Sequence, residues 1–268
     1  MIQFTSLCVR FHAKEIVRNA TLSVPDGSVA VFIGANGAGK TTTLKAGVGL
    51  LPHTGSTNLD GRKRSKELGI SLGAESLPTN ITLSELLRLG KTEDFVDEAD
   101  SLMRDLQIEK YRNHKVQTLS TGTKQKISLI EAFRYQPKNI ILDEPHNGLD
   151  PQSIEWLEHQ IRQAKNHGSA VLMSSHLLRE AGAMADMAYE IQQGVVKRSA
   201  WPIEATTPAQ WNRIWVKSNN PRRLAEHLAG MGTTSLEDGS ILITNSPVPR
   251  VLSIARRQGV EILDIGPY

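Results

Sequence analysis

The sequence predicts an α/β fold built on a mostly parallel sheet, followed by a smaller C-terminal α+β unit. Three observations carry this. Over residues 1–200, short apolar runs alternate with amphipathic helical stretches, the pattern of strands joined by crossover helices. One such run, Val29–Ile33, leads directly into Gly34-Ala35-Asn36-Gly37-Ala38-Gly39-Lys40-Thr41, the phosphate-binding loop pattern G-x-x-x-x-G-K-[ST], with a helix behind it. After a proline-bearing break at residues 199–208, the order becomes β-α-β-β-α-β, a ferredoxin-like series. Domains are therefore expected at residues 1–200 and 201–268.

Residues 2–9 and 20–24 read as strands joined through a turn at Phe11-His12-Ala13-Lys14, and Pro25-Asp26-Gly27 is a strong turn signal. Five apolar residues in a row, Val29–Ile33, suit a strand buried on both faces. Thr42-Thr43-Leu44-Lys45-Ala46 opens the helix after the loop, and Thr57-Asn58-Leu59-Asp60-Gly61 is a short strand and turn. The basic cluster Arg62-Lys63-Arg64-Ser65-Lys66 reads as a solvated loop. From 84 to about 116 the period is helical, with Phe95, Ala99, Leu102 and Leu106 on one face. Residues 75–135 as a whole read as a helical insertion between two parts of the α/β core. Ser120 is an N-cap for a helix to about residue 135, and Pro137 ends it. Asn139-Ile140-Ile141-Leu142-Asp143 is a buried strand that ends in a carboxylate. Ile154, Leu157, Ile161 and Ala164 make an amphipathic helix closed by Gly168, and residues 170–176 are another buried strand. In the tail, strands fall at 214–217, near Thr234, at 241–244 and at 260–265, with helices at 221–231 and 249–258.

Composition narrows the function classes. A net charge of +3 makes a weak electrostatic case for nucleic acid, so no nucleic-acid partner is expected. The single Cys8 excludes an internal disulfide framework and suits a reducing compartment. No apolar run reaches the length of about 18 residues that a spanning helix needs, and the N-terminus lacks a signal-peptide pattern. A cytoplasmic chain is expected, with any membrane role coming through a partner.

The candidate chemistry gathers at the carboxyl ends of the strands, where parallel sheets bind ligands. Gly34, Asp143 and His176 all fall there. Gly34, Gly37 and Gly39 let the backbone turn tightly and aim its N–H groups, that of Asn36 among them, at one point. The helix N-terminus adds partial positive charge. Lys40 can reach β- and γ-phosphates, and Thr41 can offer its hydroxyl to Mg²⁺. A chance match to this pattern in a chain of this length has a probability of roughly one in a hundred. Asp143, at a strand end, suits a Mg²⁺ contact, directly or through water. Glu144 follows at once and could polarise an attacking water.

With these motifs in order, the chain resembles the ATPase cassette of ATP-binding cassette (ABC) transporters over residues 2–197. The resemblance rests on residues 34–42, Leu119-Ser120-Thr121-Gly122-Thr123, residues 140–144, Gly148-Leu149-Asp150 and Ser174-Ser175-His176. It implies a P-loop NTPase cassette with an antiparallel β subdomain and a helical insertion. It implies MgATP held between one copy's phosphate loop and the signature segment of a second copy, or of a paralogous cassette, in a head-to-tail dimer. By that resemblance Lys40, Thr41 and Thr42 bind phosphates, and Thr41 and Asp143 serve Mg²⁺. Glu144 is the catalytic base, His176 contacts the γ-phosphate, and Asp150 links the two sites. Ser120 and Gly122 present N–H groups to the other copy's ATP, although the pair also fits a plain helix cap. Phe11 sits where the family stacks an aromatic on adenine; a core role fits it as well. A transmembrane permease is the implied partner, and attachment at the cytoplasmic face of the membrane the implied location.

Three departures qualify this. The signature has Thr121 and Thr123 where many relatives have Gly and Gln, and the following Lys124-Gln125-Lys126 resembles exporters of drugs and antimicrobial peptides. Gly73 falls where the family usually has a Gln that couples Mg²⁺ to the permease; Glu75 stands close by as a substitute. His146 replaces a common Thr or Ser. An exporter ATPase is the leading expectation. The alternatives are a non-transport ABC ATPase, or a regulatory module that binds ATP but hydrolyses it weakly. The tail is expected to regulate the cassette or stabilise its dimer.

Overall fold

Alternating burial builds the outer part of the sheet. In β1 (Ile2–Phe11) the side chains of Ile2, Phe4, Leu7 and Val9 point inward, and in β2 (Lys14–Val24) those of Val17, Ala20, Leu22 and Val24. The two strands pair antiparallel. β3 (Val29–Ile33) is buried at all five positions and leads through the glycine-rich loop into α1 (Lys40–Gly47). β4 (Thr54–Leu59) then returns to pair antiparallel with β1, and β5 (Leu68–Ser71) begins the far side of the sheet. The structure is a computed structural model. It describes residues 1–12, 14–59, 67–89, 98–175, 184–199, 213–228, 233–235, 240–244, 251, 254–255 and 258–267. The basic cluster at 62–66, Phe95, His176 and nearly all of the 199–208 break lie outside the described residues.

The insertion is broken into pieces. α2 (Leu83–Arg88) opens with a capping box: Thr82 Oγ1 accepts from Glu85 N, and the Glu85 carboxylate accepts from Thr82 N. These bonds to Thr82 hold the exposed Glu85 carboxyl below its usual value. α3 (Ala99–Asp105) stops where Gln107 turns left-handed, at φ 56°. Two single turns of 3-10 helix, Glu109–Tyr111 and Val116–Thr118, precede α4 (Thr121–Phe133). The fully buried Arg134 fastens the pieces. Its guanidinium pairs with Glu131 at 2.6 Å and donates to Leu89 O at 3.2 Å, while its own carbonyl accepts from Glu98 N.

Beyond α4 come β6 (Asn139–Leu142), α5 (Pro151–Asn166), β7 (Ala170–Ser175), β8 (Met187–Gln192) and β9 (Val195–Ser199). The described strands of Met1–Pro202 form one sheet in the order β4-β1-β2-β9-β8-β3-β7-β6-β5. Its centre is parallel: β3 pairs with β7 and β8, and β6 with β5 and β7. Phe133 of α4 meets Trp156 of α5 edge to face, with ring centroids 6.2 Å apart.

Ile203–Tyr268 is a separate unit. It comprises β10 (Arg213–Ser218), α6 (Pro221–His227), β11 (Thr233–Ser235), β12 (Ile241–Thr244) and β13 (Ile262–Pro267). Its strands lie in the order β11-β12-β10-β13, each antiparallel to its neighbour. Val216, Leu224, Leu228, Ile241 and Ile243 share a core with Val251, Ala255 and Val260. Much of the second helix expected of the β-α-β-β-α-β series falls outside the described residues. Among the described residues, no helix is long and apolar enough to cross a membrane.

Candidate functional site

Strand register brings the motifs to one edge. Ile33 pairs with Ser175, Leu142 with Met173, and Ser71 with Leu142. Gly34, Asp143 and Ser174 therefore emerge together at the carboxyl ends of β3, β6 and β7. Asp143 N donates to Ser71 O at 2.7 Å and continues the ladder one residue past β6.

The loop after β3 curls around the amino end of α1. Gly39 caps the helix in a left-handed conformation, φ 111°, without a side-chain cap. The first turn of α1 carries no acidic residue, so the positive end of its dipole is left to whatever enters the loop. Lys40 is only 6% exposed. Its ammonium donates to Gly34 O at 2.7 Å and lies 3.3 Å from the Glu144 carboxylate.

Across from the loop, Ser174 Oγ donates to Asp143 Oδ1 at 2.6 Å and accepts from Glu144 N at 2.8 Å. One fully buried hydroxyl thus sets both the Asp143 carboxylate and the Glu144 backbone. Glu144 adopts φ 46°, a conformation uncommon for a non-glycine residue. Asp143 is 7% exposed. Among the described residues, no group of three or more His, Cys, Asp or Glu side chains could hold a metal on its own. The Thr41 hydroxyl and Asp143 carboxylate are hard oxygen donors, the limited set that suits Mg²⁺ arriving with phosphates.

A cleft of about 300 Å³ collects Asn36, Gly37, Gly39, Lys40, Thr41, Thr42 and Glu144. Ile16 and Asn147 also line it, and the sequence reading had singled out neither. Ser174 was likewise read only as part of a motif. Its buried hydroxyl beside Asp143 is a tertiary contact across 31 residues, which local pattern does not reveal. Phe11, Gly34, Ser120, Gly122, Asp143 and Asp150 do not line this cleft, although Gly34 and Asp143 directly adjoin lining residues in sequence. Phe11 ends β1 and is 45% exposed.

Ser120, Gly122 and Asp150 gather at the amino ends of α4 and α5. Ser120 Oγ accepts from Thr123 N at 3.2 Å, and Asp150 Oδ1 from Ser153 N at 2.8 Å. A Cβ on Gly122 would stand 2.7 Å from Gly148 O, so only glycine lets the two backbones approach this closely. Lys126 pairs with Asp150 at 2.7 Å. That bond, and then the two from Ser153, hold the Asp150 carboxyl down at about 2. A second cleft of about 210 Å³ beside them, lined by Thr123, Lys126 and Asp150, contains no phosphate-loop residue.

Gly73 has φ 88° and ψ 171°, a region essentially closed to other residues. Its carbonyl accepts from Ser76 N at 3.1 Å and Ser76 Oγ at 2.6 Å. A Cβ there would meet nothing within 4 Å, so the constraint lies in the backbone, not in space. Glu75 is exposed in the 3-10 turn Ala74–Ser76 and does not line the cleft.

Known proteins match this arrangement. A family model described as "ABC transporter" matches residues 17–147. The uncharacterized ABC transporter ATP-binding protein YhcH of Bacillus subtilis (strain 168) is 31% identical over 281 residues, covering 99% of this chain and 91% of that protein. The lantibiotic transport ATP-binding protein SrtF of Streptococcus pyogenes is 30% identical over 203 residues, covering 73% of this chain and 89% of SrtF. A solved structure of an ATP-binding subunit of an ABC transporter is 27% identical and superposes with a TM-score of 0.68 over 75% of this chain and 90% of its own. The phosphate loop, the paired carboxylates and the whole-length similarity agree: the chain belongs to the ATP-binding subunits of the ABC transporter family.

Proposed function

We propose that the chain hydrolyses ATP to drive export across a membrane through a separate permease. The pairing of Lys40 with Glu144 across the phosphate-loop cleft carries this reading. Without nucleotide, the carboxylate neutralises a nearly buried ammonium. When ATP enters, the triphosphate takes over that charge, with the loop N–H groups and Lys40, Thr41 and Thr42 binding it. Glu144 is then released to orient and deprotonate a water in line with the γ-phosphate. Mg²⁺, held by Thr41 and Asp143, would neutralise charge that develops on the phosphates. Ser174 keeps Asp143 aimed for that contact. His176 contacts the γ-phosphate and Phe11 stacks on adenine.

The separation of Ser120 and Gly122 from their own chain's cleft supports a head-to-tail pair. In it, each α4 amino end closes on the ATP of the other copy, and Asp150 links the two sites. The cassette then works at the cytoplasmic face of the membrane, attached through the permease, without nucleic acid. The tail, residues 201–268, regulates or stabilises the pair. Transport of a lantibiotic by SrtF favours export as the direction.

Release of phosphate from MgATP by the purified chain is the test. Glu144→Gln keeps the shape of the site and removes the base, so turnover should fall by about a hundredfold or more. Turnover near wild type would remove Glu144 from that role. One observation favours a second reading, a weak hydrolyser: the Gly73 backbone leaves no side chain at the usual coupling position. Wild-type turnover barely above the spontaneous hydrolysis of ATP, with MgATP still bound in calorimetry, would select it.

A further inference from the structure

Glu144 holds a left-handed backbone conformation, and such conformations persist only where neighbours over-determine them. Its own carbonyl accepts from Asn147 N at 3.1 Å, and two longer-range bonds flank it. On one side, Glu144 N donates to Ser174 Oγ at 2.8 Å. On the other, the carbonyl of the next residue, Pro145, accepts from Gln125 Nε2 at 3.1 Å. Gln125 is 3% exposed, and burying an amide is costly unless it is bonded. Only the amide nitrogen can donate to a carbonyl, so the orientation of the Gln125 amide is fixed.

Gln125 belongs to α4, the helix whose amino end carries Ser120 and Gly122. The same stretch of α4 touches the segment around Glu144 at two further points. Gly122 packs on Gly148 O, and Lys126 pairs with Asp150. The helix end and residues 144–150 are thus fastened together through three consecutive contacts, and only the Gln125 bond reaches the residue next to Glu144.

We propose that Gln125 is a positioning residue for Glu144. Its amide ties the Pro145 carbonyl to α4, so that pressure on the signature end of this helix from a second copy's nucleotide moves the hydrolytic carboxylate of its own site. This rests on the reading of Glu144 as the base. It gives one buried side chain the task of passing information between the two sites of a pair.

Gln125→Met tests it, because Met matches Gln in length and volume and lacks the donor. ATP affinity, measured by calorimetry, should stay within about twofold, since no phosphate contact is lost. The kcat should fall by about tenfold to a hundredfold, the effect of a small misplacement of a reacting group. A packing role alone would lower the melting temperature and spare that split. Gln125→Asn, one methylene shorter, should show the same split to a smaller degree and serves if the Met variant does not fold. A folded variant with wild-type kcat, or one whose affinity and kcat fall in proportion, overturns the proposal. Glu144→Gln, assayed in parallel, separates the two ideas. If it leaves turnover intact, the base assignment fails; if it abolishes turnover while Gln125→Met does not, Gln125 alone is misassigned.

Discussion

Replacing Gly73 with alanine isolates a backbone effect from a side-chain effect. The residue sits at φ 88° and ψ 171°, and an added Cβ would touch nothing within 4 Å. No clash is created, so the whole cost is conformational strain, about 1–3 kcal/mol for such a region. Alanine also restricts the unfolded chain, which offsets about 0.4–1 kcal/mol. Taken at the middle of each range, the net loss is about 1.3 kcal/mol. For a unit of this size each kcal/mol moves the melting temperature by about 2–4 °C, so the midpoint should fall by about 3–5 °C. Gly73→Gln should fall by the same amount, because the strain arises at Cβ and the rest of the side chain has room. Glutamine is the usual family residue at this position, but here it would have to adopt a backbone conformation that favours glycine. Circular dichroism melting of the wild type and both variants is the assay. A Gly73→Ala variant that melts at or above wild type would refute the argument.

Three further outcomes follow from the geometry. Lys40→Ala should abolish MgATP binding in calorimetry, since the nearly buried ammonium in the phosphate cleft is lost; unchanged affinity would sink the site. Asp150→Asn should alter the response to acid. The Asp150 carboxyl is held at about 2 in the fold against 3.8 when free. Its contribution is therefore complete above 3.8 and lost as pH falls towards about 2. The side chain is 52% exposed, so the effect is small, but the stability gap between wild type and variant should narrow across that window. A gap independent of pH would argue against the Lys126 and Ser153 bonds. Truncation after residue 202 should leave a folded chain that binds ATP, with altered pairing or ATPase rate; an unfolded product by circular dichroism would mean that the tail is needed for the cassette to fold.

The legible parts of the sequence were those in which local chemistry decides structure. Ser120 caps α4 because short polar side chains satisfy free N–H groups wherever a helix starts; Asp150 caps α5 in the same way but had been read only as a link between sites. β3, β6 and β7 were plain because strands buried on both faces read as unbroken apolar runs. The β8–β9 hairpin went unread. It turns at Gln193-Gly194 with φ 48° and 81°, and Gln is not the Asn or Asp that normally announces such a turn. The insertion was read as more continuous than it is, since nothing in Gln107 signals a left-handed stop. At the site, the loop, Asp143 and Glu144 were visible as motif. The Ser174 and Gln125 bonds that hold them were not, because they join residues 31 and 20 positions apart.

The central claim is that ATP is held between two copies, with the phosphate loop of one facing the α4 amino end of the other. Size-exclusion chromatography of Glu144→Gln with saturating MgATP tests this most directly. The account predicts a dimer with ATP, a monomer with ADP, and loss of the ATP dimer when Ser120→Trp is added, with ATP affinity of the monomer unchanged. A chain that stays monomeric with ATP, or a dimer that Ser120→Trp leaves intact, would contradict it.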